Sequence, residues 1–442
     1  MSHSQPKRTD LTVRLERALL AGVVLPDEPV DGDERLAELE QLAETAGARV
    51  VGSITQRRTS PDPSHFIGRG KARELRELAG AENAHVIIFD HDLTPAQLRN
   101  LEEATDVKVV DRSELILDIF ATHARSSAAR VQVELAQLEY TLPRLRRMWT
   151  HLSRIEGGIG TRGPGEQQLE VDRRRVRRRI SDLKRRLASI EKRRASEVGR
   201  RDNEFCASIV GYTNAGKSTL MNAVTGAGVR VEDKLFATLE TRTRHWDLPG
   251  GRRVLLSDTV GFIRNLPHHL IASFKATLEE AKNADLLLHV VDASHHEAEH
   301  QIEAVNSVLE ELGCAGSRIL IVLNKYDAVE DLAHFNVLAA AHPGAVVISA
   351  ATGDGLQGLA RAVAEEMSQG VMEVKVSLPA SEGRLYALVR QRGNVLSEGL
   401  TGERIQMRLR ISRPDIERIR RSFPSLEILP DSPDVLEDAQ AW

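Results

Sequence analysis

Cys206-Ala207-Ser208-Ile209-Val210 is an apolar run that leads without a break into Gly211-Tyr212-Thr213-Asn214-Ala215-Gly216-Lys217-Ser218-Thr219, and then into Leu220-Met221-Asn222-Ala223-Val224. The middle stretch matches G-x-x-x-x-G-K-[ST], and its flanks read as the strand and helix that this loop requires. The chemistry explains the residue types. Two glycines let backbone N–H groups curl around phosphate oxygens, and the following helix points its positive end at them. Lys217 places a charge on the β- and γ-phosphates, and the Ser218 hydroxyl suits Mg2+. A glycine turn that merely precedes a helix needs neither the lysine nor the serine. Asn214 has two readings: stabilisation of the turn, or an amide oxygen that helps hold K+ beside the phosphates.

Downstream, residues 253–256 read as a strand ending in Ser257-Asp258-Thr259-Val260-Gly261. Asp258 is the expected water-mediated Mg2+ partner, and the Gly261 N–H the γ-phosphate sensor. Residues 318–323 read as a buried strand ending in Asn324-Lys325-Tyr326-Asp327. A carboxylate at Asp327 accepts two hydrogen bonds from guanine N1–H and N2–H2, a pair that adenine lacks. Residues 346–348 lead to Ser349-Ala350-Ala351, where a backbone N–H can meet guanine O6. These motifs select GTP over ATP. A loop before Asp258 must supply one threonine to the Mg2+ shell; Thr238, Thr241 and Thr243 compete, and spacing does not choose among them. Phe262 stands where Ras-like enzymes keep a glutamine that orients the attacking water. Its ring neither donates nor accepts a hydrogen bond, so slow intrinsic hydrolysis is expected.

The 442 residues allow about three domains, and 41% hydrophobic with 28% charged residues is an ordinary globular composition. No apolar run approaches the ~20 residues of a membrane span. Residues 1–10 lack the apolar core of a signal peptide, and Cys206 and Cys314 read as reduced, inert thiols. A cytoplasmic monomer is expected, and peripheral membrane association finds no support. Residues 18–25, 48–54, 85–90 and 107–111 read as strands that alternate with helices at 33–45, 70–79, 94–104 and 112–123, a small parallel sheet with crossover helices. Gly68-Arg69-Gly70-Lys71 opens one of those helices and reads as a cap rather than a nucleotide site.

From 126 to 198 the period changes. Val131, Leu135, Leu138, Leu142, Leu145, Met148 and Leu152 recur at spacings of three and four, as do Val176, Ile180, Leu183, Leu187 and Ile190. This is the seam of two long antiparallel helices, the first kinked at Pro143. Between them a loop holds Gly157, Gly158, Gly160, Arg162, Gly163 and Gly165, too rich in glycine to continue a helix. Residues 144–201 carry nineteen Lys/Arg against seven Asp/Glu, although the whole chain is −4. A charge run is usually a solvated face; bordering a glycine-arginine tip, this one reads as an RNA-contacting element with Arg174 and Arg178 on its helix. Strands are expected at 372–378, 384–389 and 404–411, a helix at 414–421, and a loose acidic tail after Phe423. The fold class is α/β and multidomain: an N-terminal α/β domain (1–125), an antiparallel helical hairpin (126–200), a Ras-like P-loop GTPase domain (201–370) and a small C-terminal α/β domain (371–442).

Four motifs, GYTNAGKST (211–219), LFATL (235–239), DTVGFI (258–263) and NKYD (324–327), together with the hairpin tip GGIGTRGPGE (157–166), resemble the HflX family of translation-associated GTPases in the Obg–HflX group. The tip is the most specific of these, because generic GTPases lack it. The resemblance covers residues 15–370 and makes Thr238 the preferred switch threonine, with Phe236, Ala237, Leu239 and Glu240 beside the nucleotide. It implies binding to the large ribosomal subunit and its RNA, the hairpin reaching toward the peptidyl-transferase centre, and splitting or rescue of stalled ribosomes under stress. It also implies a hydrophobic residue at position 262. Some members are reported to use ATP through the N-terminal domain, which here carries no clear phosphate loop.

His296-Glu297-Ala298-Glu299-His300 matches the zinc-protease pattern H-E-x-x-H, but no third ligand with a supporting context accompanies it, and it reads as a polar helix start. His268-His269 reads as surface. Two rival functions remain. A GTPase partner of an RNA-modifying or ribosome-assembly machinery would carry a catalytic cysteine or folate-like site in a flanking domain, and none is visible. A signalling scaffold does not call for an arginine-rich hairpin.

Overall fold

The computed structural model describes residues 16–26, 32–145, 164–198, 205–226, 235–236, 242–264, 280–314, 316–368, 371–412, 416, 419–420 and 422–429. Three sheets organise them. The first is parallel, in the order β2-β1-β3-β4, from β1 (Arg17–Val24), β2 (Arg49–Arg57), β3 (Val86–Phe89) and β4 (Lys108–Val110). Helices α1 (Gly32–Thr45), α2 (Arg69–Ala81) and α3 (Pro95–Thr105) make the crossovers, and α4 (Arg112–His123) follows the last strand. Runs such as Val86–Phe89 are buried on both faces, as parallel strands covered by helices must be. Local chemistry sets the helix starts. Thr94 and Gln97 form a capping box on α3, and Asp111 caps α4 through the Glu114 N–H. Gly68 is the N-cap of α2 without a side-chain cap; its N–H is taken by Gln56 at 2.8 Å.

The second sheet has six strands in the order β10-β9-β8-β5-β7-β6. These are β5 (Cys206–Gly211), β6 (Arg242–Leu248), β7 (Arg252–Asp258), β8 (Leu286–Asp292), β9 (Ile319–Asn324) and β10 (Val346–Val347). All pair in parallel except β6, which runs antiparallel along β7 at the edge. Strand β9 is exposed at its start, with Ile319 42% accessible, and buried only over its last half. The β6 strand corrects one expectation: Thr243 was a candidate for a mobile loop, yet it lies in the ladder with its hydroxyl 3.0 Å from Ser257 Oγ. Thr238 and Thr241 lie outside the described residues.

Helix α5 (Ser127–Thr141) packs on both neighbours. Ala129, Val133, Ala136 and Tyr140 join the core of the first sheet, while Val131 and Leu135 meet Leu183 of α6 (Pro164–Val198). Leu138, Ile180 and Leu187 flank that seam, as the heptad-like spacing predicts. Pro143 interrupts the helix as expected: it stops at Thr141, tightens into a 3-10 turn, Leu142–Arg144, and is helical again at Leu145. Residues 146–163, which include most of the tip, lie outside the described residues. Pro164 and Gly165, expected in the loop, open α6 instead; proline's fixed φ suits a first helical turn.

The third sheet is antiparallel, in the order β12-β13-β11-β14, from β11 (Val371–Pro379), β12 (Asn394–Thr401), β13 (Arg404–Ser412) and β14 (Glu427–Ile428). Residues 384–389, expected as a strand, are helical within Gly383–Arg392. Leu385 and Val389, four apart, both reach the core, and that spacing is helical rather than alternating. The unforeseen β12 forms a hairpin with β13 around Gly402, which sits at φ 64. Residue 416 and residues 419–420, within the predicted terminal helix, are helical.

Candidate functional site

The P-loop leaves the carboxyl end of β5 and turns into the helix Lys217–Thr225, which starts three residues earlier than the apolar run suggested. Two glycines are obligatory here. Gly211 has φ 148, and a Cβ on it would lie 2.2 Å from the Val290 carbonyl oxygen. Gly216 has φ 92, and its Cβ would lie 2.2 Å from Asn324 Nδ2. No L side chain fits either position. Lys217 is buried and its ammonium donates to the carbonyls of Gly211 at 3.1 Å and Tyr212 at 2.6 Å. Two of its three N–H groups are engaged, and the third can meet a phosphate. Burial pushes Lys217 down to about 8, against the upward pull of Asp258. Asp258 is itself pushed up by burial, opposed by Lys217 and by Ser218.

Ser218 Oγ donates to Asp258 Oδ2 at 2.8 Å, while Asp258 Oδ1 is buried with no hydrogen-bond partner. An orphaned buried carboxylate oxygen beside a hydroxyl fits a small hard cation that takes oxygen ligands, so these residues suit Mg2+. Thr259 is buried and turns its hydroxyl to the Ile209 carbonyl at 2.7 Å, a structural contact. Gly261 lies against the loop: a Cβ there would sit 2.8 Å from Thr213 Cγ2 and 2.9 Å from Lys217 Nζ.

The residues expected from the sequence to read the base gather at the ends of β9 and β10. Asn324 staples two loops, donating from Nδ2 to the Ala215 carbonyl and accepting the Ala350 N–H at Oδ1, both at 2.9 Å. Lys325 adopts φ 60 and its ammonium pairs with Asp292 at 2.7 Å. Tyr326 and Asp327 are exposed. The carboxylate is therefore not desolvated by the fold, and the penalty against adenine would arise only when a base covers it. Ser349 accepts the Thr352 N–H, shaping the turn that carries Ala350 and Ala351. Phe236 turns its ring into the core, edge-on to Phe120 of α4 at 4.7 Å. Ala237, Leu239 and Glu240 lie outside the described residues.

Three family models match in succession: a GTP-binding GTPase N-terminal region over residues 33–121, a GTP-binding GTPase middle region over 123–201, and a 50S ribosome-binding GTPase domain over 206–325. A curated relative from Caldanaerobacter subterraneus, named GTPase HflX, is 44% identical over 92% of this chain and 93% of its own length. The chain belongs to the HflX family of GTPases. The Escherichia coli K12 HflX is 45% identical over 89% of this chain and 93% of its own. Among solved structures, a GTP-binding protein from Sulfolobus solfataricus in complex with GDP aligns at 27% identity and a TM-score of 0.41, over 80% of this chain and 99% of that one. As a member of the family this HflX chain is a GTP hydrolase.

One group of residues escaped the reading of the sequence. Tyr212, the second residue of the P-loop, donates to Glu38 of α1 at 2.5 Å and accepts the Arg264 N–H at 2.8 Å. Arg112, buried at the head of α4, donates to Glu38 at 3.0 Å, to Asp90 at 2.6 Å and to the Arg264 carbonyl at 3.1 Å. Burial disfavours its charge, and Glu38 and Asp90 restore it. Nothing in the linear sequence marked this arginine beyond its place at the start of the helix that follows a strand. No group of three or more potential metal ligands occurs among the described residues, and Glu297 of the H-E-x-x-H stretch is paired with Arg264 at 2.8 Å.

Proposed function

We propose that this protein is a GTP-driven switch that binds the large ribosomal subunit through its helical hairpin and splits or rescues stalled ribosomes under stress. The observation that carries the reading is the two-sided character of α6. One face is packed and lashed to α5, with Arg179 paired bidentately to Glu134 at 2.7 and 2.9 Å and Lys184 to Glu139 at 2.8 Å. The other presents exposed Arg174 and Arg178. A rigid rod with one basic free face suits an RNA backbone, whose contacts weaken with salt. Membership in a family whose central domain is described as a 50S ribosome-binding GTPase supports the same partner. The chain divides in this reading near residues 125, 200 and 370, and acts in the cytoplasm; no helix among the described residues is long and apolar enough to cross a membrane.

In the proposed cycle the P-loop amides and Lys217 hold the GTP phosphates, and Asp327 with the Ala350 and Ala351 amides reads guanine. Ser218 and Thr238 would hold Mg2+, with Asp258 as the expected water-mediated partner. The metal when bound neutralises charge on the β- and γ-phosphates. The Gly261 N–H senses the γ-phosphate, so hydrolysis releases Thr238 and Gly261. Asn214, at φ 60, helps hold K+; equal hydrolysis rates in K+ and Na+ would remove that element. The tip, with Gly157, Gly158, Gly160, Arg162, Gly163 and Gly165, makes the working contact with RNA.

Sedimentation with ribosomes and a non-hydrolysable GTP analogue tests the partner: the protein is expected to follow the large subunit in a salt-sensitive manner. Replacing residues 157–165 by a short Gly-Ser turn should leave GTP affinity unchanged and abolish splitting at saturating GTP and protein. Wild-type splitting by that variant would reduce the tip to a connector.

A further inference from the structure

We propose that Glu38 and Arg112 of the N-terminal domain are positioning residues for GTP hydrolysis, acting through the P-loop hydroxyl of Tyr212 on the backbone at 261–264. This rests on reading Gly261 as the γ-phosphate sensor. The Phe262 N–H donates to the Gly211 carbonyl at 3.1 Å and the Phe262 carbonyl accepts the Thr213 N–H at 2.7 Å, a short parallel bridge between P-loop and switch. The bridge ends at Arg264, whose N–H is held by Tyr212 and whose carbonyl is held by Arg112. Both of those groups are joined to one carboxylate: Glu38 takes the Tyr212 hydroxyl on Oε1 and the Arg112 guanidinium on Oε2. Asp90 fixes the other end of Arg112. The Arg264 side chain is tied separately, to Glu297.

The consequence for chemistry comes from Phe262. Its ring is 1% exposed, inside a core shared with Leu115 and Phe120 of the N-terminal domain. It offers the attacking water nothing, so within this segment the polar groups near the reacting phosphate are main-chain ones. Their placement decides how well they act, because a preorganised donor helps a transition state only where it already points. Tyr212, Arg112 and Asp90 are all at least nine-tenths buried, and hydrogen bonds in such surroundings are stiff. Burial, with Glu38 beside it, keeps the Tyr212 phenol protonated and a donor. The N-terminal domain thereby supplies a brace for the 261–264 segment that the GTPase domain lacks by itself.

The test uses the full chain with Tyr212→Phe, Glu38→Gln and the double variant. Tyr212→Phe removes one hydroxyl from a ring that keeps its packing; Glu38→Gln removes the charge that faces Arg112 and leaves one acceptor oxygen where two groups now donate. Each single variant is expected to lower kcat about tenfold while KM for GTP and GDP affinity stay within about twofold. The double variant should be no slower than either single one, since both break the same brace. Unchanged or increased kcat in Tyr212→Phe overturns the proposal, as do losses that multiply in the double variant. Should Glu38→Gln melt at a lower temperature than wild type, Tyr212→Phe decides alone. Gly261→Ala separates the two layers: if it spares hydrolysis, the sensor reading fails; if it abolishes hydrolysis while Tyr212→Phe does nothing, only the brace fails.

Discussion

The chain builds two parallel α/β sheets, and their carboxyl ends do different work. In the six-stranded sheet that end carries Gly211, Lys217 and Asp258, with a buried ammonium and an orphaned carboxylate oxygen. In the four-stranded sheet the same end carries Asp90, Asp111 and Arg112, each buried and each paired within the protein. Asp111 takes the Tyr140 hydroxyl at 2.8 Å and Arg144 at 3.1 Å, anchoring the base of the hairpin. Arg112 faces the other way and holds the Arg264 carbonyl. Open parallel sheets tend to bind ligands at this edge. Here one edge is arranged for nucleotide, and the other takes segments of its own chain as its ligand.

That contrast can be broken. Arg112→Met leaves the buried Asp90 and the half-buried Glu38 without their cation, so the protein should lose about 3–5 kcal/mol of stability in urea unfolding. A loss below about 1 kcal/mol would show the ion cluster to be dispensable and the two edges more alike than described. Asp327→Asn probes the other edge. The exposed carboxylate contributes nothing to the fold, so unfolding should be unchanged, while GTP affinity falls roughly a hundredfold and xanthosine nucleotide gains. Undiminished GTP affinity would show that guanine is read elsewhere.

The smallest effect lies in the first sheet's α4. Burial pushes the Asp118 carboxyl up to about 7, Glu114 adding to the shift and Lys108 opposing it. The folded state therefore holds this proton more tightly than the unfolded chain, whose carboxyl titrates near 3.8. Its stabilising contribution is complete below that value and is lost as pH rises through about 7. Asp118→Asn should flatten the stability profile between those limits and stabilise the protein at pH 8 by about 1–2 kcal/mol. An unaltered slope would assign the pH dependence to other groups.

Much of this was legible early because the informative residues are neighbours in sequence. Strand, loop and helix at 206–225 are continuous, and the glycines at 211 and 216 are required by local backbone geometry. The α5–α6 seam followed from spacing, since only one face of each helix can be buried. Errors arose where local pattern was ambiguous. Residues 384–389 alternate well enough for a strand until packing selects Leu385 and Val389 as a helical pair. Thr243 was lost to an edge strand whose partner lies beyond a turn at Gly250 and Gly251.

By itself the sequence determined the phosphate-binding loop and the two-sided hairpin helix, because backbone conformation and amphipathic period are written in contiguous residues. Only the tertiary structure decided what Tyr212, Glu38, Arg112, Phe236 and Asn324 do. Tyr212 and Glu38 are separated by 174 positions, and Asn324 reaches Ala215 across 109. A tyrosine, a glutamate and an arginine are ordinary surface residues in any linear reading. They become a brace when α1 and the head of α4 pack against the P-loop and Arg264 and remove the water that would otherwise satisfy them.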